Sequence, residues 1–162
     1  MTFITTANPP PQAAEPPLAN EPFWPDISPA HLRAERRLDG TVTAERLAQA
    51  IEAAMWDINA ELRPWQQAQE LAGHQQLADV PAPAAKVSGE SLKVKMYRRA
   101  VYYHVQAQLA EAYRDMDTLP TGVNKEQRVL SALEIRVDGF RQQLRWALAD
   151  LQDKPRTIVE LL

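Results

Sequence analysis

The residue types that perform most catalysis and metal binding are present, but their spacing does not assemble a site. The three histidines, His31, His74 and His104, lie in separate segments, and none stands three or four positions from another as a helical metal pair requires. The chain has no cysteine, which excludes a cysteine nucleophile and thiolate ligands. No serine lies in a glycine-flanked elbow that would present a catalytic hydroxyl. We therefore predict neither a metal site nor an enzyme.

Cofactor binding is not indicated either. The five glycines stand singly, so no glycine-rich loop wraps around a nucleotide phosphate. Carboxylates on the predicted helices fall outside the apolar stripes and are interpreted as solvated; they include Glu45, Glu52, Glu61, Glu111 and Asp150. The sequence therefore predicts a binding or structural role without a cofactor.

Two groups of basic residues are the main candidates for a binding surface: Arg33, Arg36 and Arg37 in the first, and Lys93, Lys95, Arg98 and Arg99 in the second. They would face DNA phosphates or an acidic protein partner, unless they form a solvated face beside the core. With 18 basic and 21 acidic residues, the chain lacks the strongly basic balance of a protein that depends on phosphate contacts. Tight, sequence-specific DNA binding is therefore not expected.

Composition predicts one globular domain preceded by a flexible arm. A chain of 162 residues is long enough for one ordinary core, yet 7 of its 13 prolines fall within the first 25 residues. We therefore predict a flexible proline-rich arm over residues 1–22 and a domain over residues 23–162. The sequence shows no bilayer-spanning apolar run and no secretion signal, which predicts folding in a bacterial cytoplasm, away from membranes.

Hydrophobic periodicity predicts an all-α fold with about four main helices, two or three of them long. Ser28 and Pro29 signal a short helix that ends near Leu38. Thr43 caps a long second helix, which Pro64 should kink or break because proline removes a helical hydrogen bond.

Two further long helices follow a loop over residues 74–87. Ser88 or Gly89 opens the third, which should run for about 27 residues. The fourth ends before Pro155 and has a three-four alternation of apolar residues, namely Leu130, Leu133, Val137, Phe140, Leu144, Ala147 and Leu151.

Both ends of the domain carry apolar residues for which the sequence leaves two alternative packing partners. Phe23 and Trp24 either anchor the arm on the body or begin the core. At the other end Ile158, Val159, Leu161 and Leu162 form a segment too short and too apolar to stand alone. This segment packs either on its own domain or on a neighbouring subunit.

Several segments, read in order from residue 23 to the C-terminus, match one family pattern: Phe23-Trp24-Pro25-Asp26-Ile27, Asn59-Ala60-Glu61-Leu62, Leu77-Ala78-Asp79-Val80-Pro81-Ala82, Gly89-Glu90-Ser91-Leu92-Lys93-Val94, Arg145-Trp146-Ala147 and Gln152-Asp153-Lys154-Pro155-Arg156. Each motif alone is weak, but their joint order and spacing are specific. Together they resemble the head completion, or head stabilisation, proteins of temperate phages with contractile tails, the GpL family. The proline-rich arm lies outside the strong match, and Pro64 interrupts a helix that the family pattern leaves continuous.

The resemblance implies a structural virion protein of the head or neck that joins the head after DNA packaging. It implies binding to the portal protein, retention of DNA, and a surface for tail-side or neck proteins. By analogy with the helical connector adaptors of other tailed phages, it also implies a closed ring of about twelve copies. The family has no catalytic residues to carry over.

On this basis we expect Phe23, Trp24 and the segment Ile158, Val159, Leu161 and Leu162 to contact the portal or neighbouring subunits. We expect Arg98 and Arg99 to face packaged DNA without reading its sequence. The alternative function is a helical DNA-binding packaging protein that resembles a small terminase subunit. That class would need a helix-turn-helix, which the turn from Leu38 to Thr43 matches only faintly.

Overall fold

The computed structural model of the chain describes residues 15–38, 42–82, 86–116 and 123–156. Within these ranges the helices are α1 (Pro29–Arg36), α2 (Ala44–Leu71), α3 (Leu92–Met116) and α4 (Val123–Leu151). Between α2 and α3 lie a 3-10 turn (Leu77–Asp79) and a small hairpin of β1 (Lys86–Val87) and β2 (Glu90–Ser91). The predicted all-α fold is confirmed. No helix in the described ranges is long and apolar enough to cross a membrane.

The first two helices begin at the capping residues that the sequence predicts. The Ser28 hydroxyl accepts a hydrogen bond of 3.2 Å from the amide of His31, and Pro29 occupies the first turn. Thr43 caps α2 in the same way, through the amide of Arg46 at 3.3 Å. The first helix ends at Arg36, two residues before the predicted end, because Arg37 adopts a left-handed conformation that closes the helix.

The second helix is continuous from Ala44 to Leu71, so the break that we predicted at Pro64 does not occur. Pro64 lies on the exposed side of the helix, and so does Ala60, whose carbonyl would have accepted the missing amide bond. Solvent can hydrate that carbonyl, which lowers the cost of the proline. The opposite face carries the predicted apolar stripe, with buried Leu47, Ile51, Met55, Ile58 and Leu62.

A β-hairpin precedes the third helix, which therefore begins at Leu92 rather than at Ser88 or Gly89. Ser88 and Gly89 form its turn with φ angles of 55° and 78°. Positive φ at both turn positions suits the right-handed twist of a two-residue hairpin loop, and glycine adopts this conformation without strain. The Ser-Gly pair is thus a turn signal.

The third helix is the centre of the fold, since it packs along α4 over its length and against α2 on another side. The core between these elements is apolar and includes Leu47, Ile51, Ile58, Leu62, Val101, Val105, Leu109, Ala147, Leu148 and Leu151. The three-four alternation of α4 fits this arrangement, because that spacing lets two long helices pack at a shallow angle.

Residues 15–27, which we call the strap, run across the helices and are held by them. Leu18 and Ile27 exchange two backbone hydrogen bonds of 2.8 and 3.1 Å, which fold the strap back on itself. Glu15 forms an ion pair of 2.9 Å with Arg33 of α1, and Ile27 is fully buried. Residues 15–22, which we assigned to the arm, thus include positions that contact the helical body. Residues 1–14 lie outside the described residues.

Three polar side chains from the strap, α2 and α3 close a cyclic hydrogen-bond network, the polar triangle of Asn20, Asn59 and Tyr97. The Asn20 amide donates to the Tyr97 hydroxyl at 2.9 Å, which donates to Oδ1 of Asn59 at 2.6 Å. The Asn59 amide donates back to Oδ1 of Asn20 at 2.9 Å. Burial raises the pKa of Tyr97 because its charged form would lose hydration there.

The strap also places two aromatic rings in the core. Trp24 stacks on Tyr97 with ring centroids 4.8 Å apart, and its indole N–H donates to Oε1 of Gln66 at 3.2 Å. Phe23 meets Trp24 edge-on at 4.8 Å, and its carbonyl accepts the amide of Leu77 at 2.9 Å. Both side chains are 3% exposed. Of the two alternatives left open for Phe23 and Trp24, the structure shows core residues.

Lys93 is fully buried, contrary to both alternatives given for its basic group, each of which places the side chain at the surface. Its ammonium donates to the carbonyl of Leu151 and to Oδ2 of Asp153, both at 2.6 Å. The unsatisfied carbonyls at a helix C-terminus favour a cation, and the half-exposed Asp153 carboxylate balances its charge. Lys93 thus ties the start of α3 to the end of α4.

Replacing Tyr97 by phenylalanine tests the polar triangle. Tyr97→Phe leaves a buried Asn59 carbonyl and the Asn20 amide without their partner, so we expect the free energy of unfolding to fall by about 1–3 kcal/mol. The control is Tyr102→Phe, whose hydroxyl contacts a His31 side chain that is 50% exposed and can turn to water. Urea denaturation of both variants measures the difference, and equal losses would contradict a special role for the triangle.

Candidate functional site

A groove between α1 and α3 brings the two basic groups of the sequence together. It encloses about 470 Å³, and we call it the basic groove; its lining residues are His31, Glu35, Arg36, Glu90, Lys95, Arg98, Arg99 and Tyr103. Spacing explains the α3 side, because Lys95, Arg99 and Tyr103 recur every four residues and therefore share one helical face. Lys93, two residues before Lys95, points to the opposite side and into the core.

Arg98 is held by a carboxylate from the hairpin. Its guanidinium donates to both oxygens of Glu90, with one contact, from Nη1 to Oε2, of 3.1 Å. The hydrogen bond from Arg98 lowers the pKa of the Glu90 carboxyl, so this residue stays ionised over a wide pH range. Arg98 is thus oriented at the groove wall, with much of its charge compensated.

Tyr103 lies between two guanidinium groups. The Arg36 guanidinium carbon is 4.2 Å from the centroid of the Tyr103 ring, and that of Arg99 is 5.5 Å away. Burial acts to raise the pKa of Tyr103, but the two neighbouring guanidinium groups outweigh it, and the net change lowers the pKa. Arg99 also donates to Oε1 of Gln143 on α4 at 2.8 Å.

Arg36 carries an unused donor in this groove. Its Nη2 contacts Oε1 of Glu35 at 3.3 Å, while its Nε is buried and has no hydrogen-bond partner. A buried donor without a partner costs free energy, which a bound acceptor would recover. Arg36 thus keeps one unsatisfied donor, its buried Nε, beside the groove.

The charges of the groove favour anionic oxygens. Four permanent cations, Arg36, Lys95, Arg98 and Arg99, face two carboxylates, Glu35 and Glu90. Phosphates and carboxylates are the groups that such guanidinium arrays bind best. The described residues contain no cluster of three or more side chains that could hold a metal ion. The arrangement fits the binding of a charged partner.

The three groups of residues predicted to contact partners differ in where they lie in the structure. Arg98 and Arg99 do line the basic groove, together with Arg36 from the other basic group. Phe23 and Trp24 lie in the core, and at 3% exposure neither ring presents a surface to a partner. The contact of these two rings with the portal or a neighbouring subunit stays a prediction. Ile158, Val159, Leu161 and Leu162 lie outside the described residues.

Sequence reasoning missed four of the residues that line the groove, namely His31, Glu35, Glu90 and Tyr103. Glu90 precedes α3 in the hairpin, and its pairing with Arg98 depends on a turn that was interpreted as a helix start. Tyr103 stands one turn after Arg99, so its position on the basic face was readable from spacing. The contact of Tyr103 with Arg36 could not be predicted from spacing, because it depends on how α1 packs against α3.

The fold and the site define a small helical protein whose helices are linked by polar contacts and whose described surface carries a basic groove. A family model described as phage head completion protein (GPL) matches residues 18–162, and the chain belongs to this family of structural phage head proteins. The head completion/stabilization protein of Escherichia phage P2 is 40% identical over 155 residues, which are 96% of this chain and 88% of that protein. No solved structure matches the chain.

The Glu90 and Arg98 ion pair predicts a pH-dependent contribution to stability. Because the folded pKa of Glu90 is lowered, the pair stabilises the fold above the pKa of an unperturbed glutamate, and this is lost as pH falls through the folded pKa. Both side chains are partly exposed, so Glu90→Gln should cost only about 0.5 kcal/mol near pH 6. The cost should shrink as the pH falls through the folded pKa of Glu90, and urea denaturation at a series of acidic pH values would measure the decrease.

The matched control for this prediction is Glu61→Gln on the exposed side of α2. It removes the same charge without touching the basic groove. A loss of stability at Glu90→Gln that did not change with pH would contradict the ion pair as its cause.

Proposed function

We propose that the protein completes and stabilises the DNA-filled phage head at the portal vertex and forms the surface to which the tail attaches. The observation that carries this proposal is the match to the head completion family over residues 18–162. The relative of phage P2, described as a head completion/stabilization protein, supports the same role along nearly the whole chain.

The contacts that hold the helices together suit a protein that serves as a structural component of the phage head. The polar triangle joins the strap to α2 and α3, and Lys93 joins the start of α3 to the end of α4. These contacts are buried or partly buried and connect segments that are remote in sequence, so local fraying at one of them is opposed by the others. A rigid body suits a protein that must hold its shape on a portal.

The basic groove is proposed to face the phosphates of packaged DNA, which would help to retain the genome. Arg98 and Arg99 were the sequence candidates, and the groove adds Lys95 and Arg36 to them. Since Arg98 is paired with Glu90, Lys95 and Arg99 should carry more of the attraction. Contacts of this kind are made to the backbone and do not read bases.

The segment Ile158 to Leu162 is proposed to contact the portal or a neighbouring subunit. The chain leads to it from a fixed point, because Arg156 donates to both carboxylate oxygens of Asp150 at 2.8 and 2.6 Å. This hydrogen bond lowers the pKa of Asp150. We further propose that about twelve copies form a ring that matches the portal and presents a face to tail-side or neck proteins.

Co-sedimentation with tailless, DNA-filled heads tests the proposal. The purified protein should sediment with full heads at about twelve copies per head, because a closed ring on the portal saturates at its symmetry. Quantitative mass spectrometry of the pelleted heads gives the copy number. If the protein ignored heads and instead bound free duplex DNA with a steep salt dependence, the packaging-protein alternative would replace this proposal.

Charge reversal in the basic groove tests its proposed contact with DNA. The double variant Lys95→Glu with Arg99→Glu should still bind heads but retain less DNA, as measured by nuclease-sensitive release from isolated heads. The matched control reverses two exposed charges elsewhere, Arg145→Glu with Lys154→Glu. If both double variants retained DNA as the unchanged protein does, the basic groove would be a solvated face.

Deletion of residues 157–162 tests the proposed role of the apolar C-terminal segment. If the segment packs on a partner and not on its own domain, the shortened protein should fold with an unchanged melting temperature. It should fail to restore infectivity to phage that lack their own head completion protein, because the contact to portal or neighbour is gone. Stable, full and infectious heads made with the shortened protein would refute this role.

A further inference from the structure

One large side chain on α2 has no role in the fold of its own chain. Trp56 is 76% exposed, and it stands two residues before Ile58, which is 1% exposed and faces the core. Two residues correspond to about 200° around a helix, so Trp56 lies on the side of α2 that points away from the core. Glu52, one turn earlier, is exposed on the same side. An exposed tryptophan with this placement is typical of an interface anchor.

A glycine in α4 is equally unexplained within the chain. Gly139 lies in the middle of Val123–Leu151, where glycine destabilises a helix relative to alanine. An added Cβ would meet nothing within 4 Å, and Gly139 does not have a positive φ. Neither the backbone nor the packing of this chain therefore requires glycine here. A close approach from outside the chain would explain the missing side chain.

Gly139 lies in a shallow, open depression between α3 and α4 with a volume of about 560 Å³, which we call the notch; it is lined by Tyr103, Gln106, Arg136, Gly139, Phe140, Gln142 and Gln143. Tyr103 and Phe140 form an aromatic pair there, with ring centroids 6.4 Å apart. Arg136 is exposed at its rim. The notch thus offers aromatic surface, polar amides and one positive charge, which together suit an indole ring beside a carboxylate.

The notch and Trp56 lie on different sides of the molecule. His104 contacts Asp57 of α2 at 3.2 Å, which marks the side of α3 that faces α2. Gln106 of the notch stands two residues further, about 200° around the helix. The notch therefore opens away from α2, while Trp56 points outward from α2 on the other side. A contact between them must join two copies through unlike faces, which is a head-to-tail arrangement.

We infer that Trp56 of one copy inserts into the notch at Gly139 of a second copy. The exposed ring enters the depression that the glycine leaves open, and Glu52 approaches Arg136 of the neighbour with opposite charge. Repetition of this contact builds the wall of a ring. The inference specifies a contact within the proposed ring, and its role in the particle rests on that proposal. Its test, however, uses the purified protein alone. Failure here would therefore leave head binding to be judged separately.

Because the chain lacks cysteine, single cysteines can report on this contact. Ala60→Cys lies one turn after Trp56, and Gln142→Cys lies beside Gly139; both sites are exposed. A mixture of these two proteins at high concentration should cross-link with a short bismaleimide roughly tenfold faster than the control mixture, because contact raises the local thiol concentration. The control pairs Gln142→Cys with Glu61→Cys, which is exposed on another side of α2.

A blocking variant separates insertion from mere proximity. Gly139→Leu fills the notch, and the open space around its Cβ position lets the monomer fold, as an unchanged or raised melting temperature would verify. Added to the Gln142→Cys protein, it should reduce cross-linking to the control rate, and so should Trp56→Ala added to the Ala60→Cys protein. Equal rates in test and control mixtures would overturn the inference. So would a Gly139→Leu protein that cross-links as fast as its parent.

Discussion

The hydroxyl of Tyr97 lies where three segments that are remote in sequence meet, and the packing around it depends on its two hydrogen bonds. Burying two amides and a phenol is favourable only while each polar atom keeps a partner, and the closed triangle with Asn20 and Asn59 supplies them. Asn20 belongs to the strap, so the triangle also fixes the segment that carries Phe23 and Trp24 into the core. The core between α2 and α3 is complete only with that segment in place.

The basic groove is a consequence of the same packing, because α1 follows directly from the strap. Leu32 is fully buried and His31 contacts the Tyr102 hydroxyl at 2.7 Å, which together set the orientation of α1 on α3. That orientation carries Arg36 over the Tyr103 ring. The cations are thus arranged by apolar burial and by the strap, before any partner arrives. Such preorganisation reduces the entropy that binding must overcome.

The sequence predicted what local signals determine and missed what depends on distant partners. The caps at Ser28 and Thr43 were readable because the capping residue and the helix it serves are adjacent. The hairpin before α3 was missed, since two-residue strands are too short to show an alternation. Lys93 was misjudged because lysine is almost always exposed, and its partner carbonyl on Leu151 lies 58 positions away.

The candidate site divides in the same way. Arg98 and Arg99 were found from their own helix, whereas the meeting of Arg36 with Tyr103 follows from tertiary packing that no local pattern encodes. The position of Pro64 shows a further limit of local rules. Whether a proline breaks a helix depends on whether the orphaned carbonyl can reach water, and Ala60 is exposed.

The buried ammonium of Lys93 has a geometric consequence for the end of the chain. The Lys93 ammonium binds the carbonyl of Leu151, the last residue of α4, and so places the end of α4 near the start of α3. Asp150 in turn binds Arg156, which positions Arg156 close to the same point. Six residues follow Arg156, and a fully extended chain of that length spans about 20 Å. Under the proposed function, the surface that Ile158 to Leu162 contact lies within that distance of Arg156, which limits how far the body can stand from this surface.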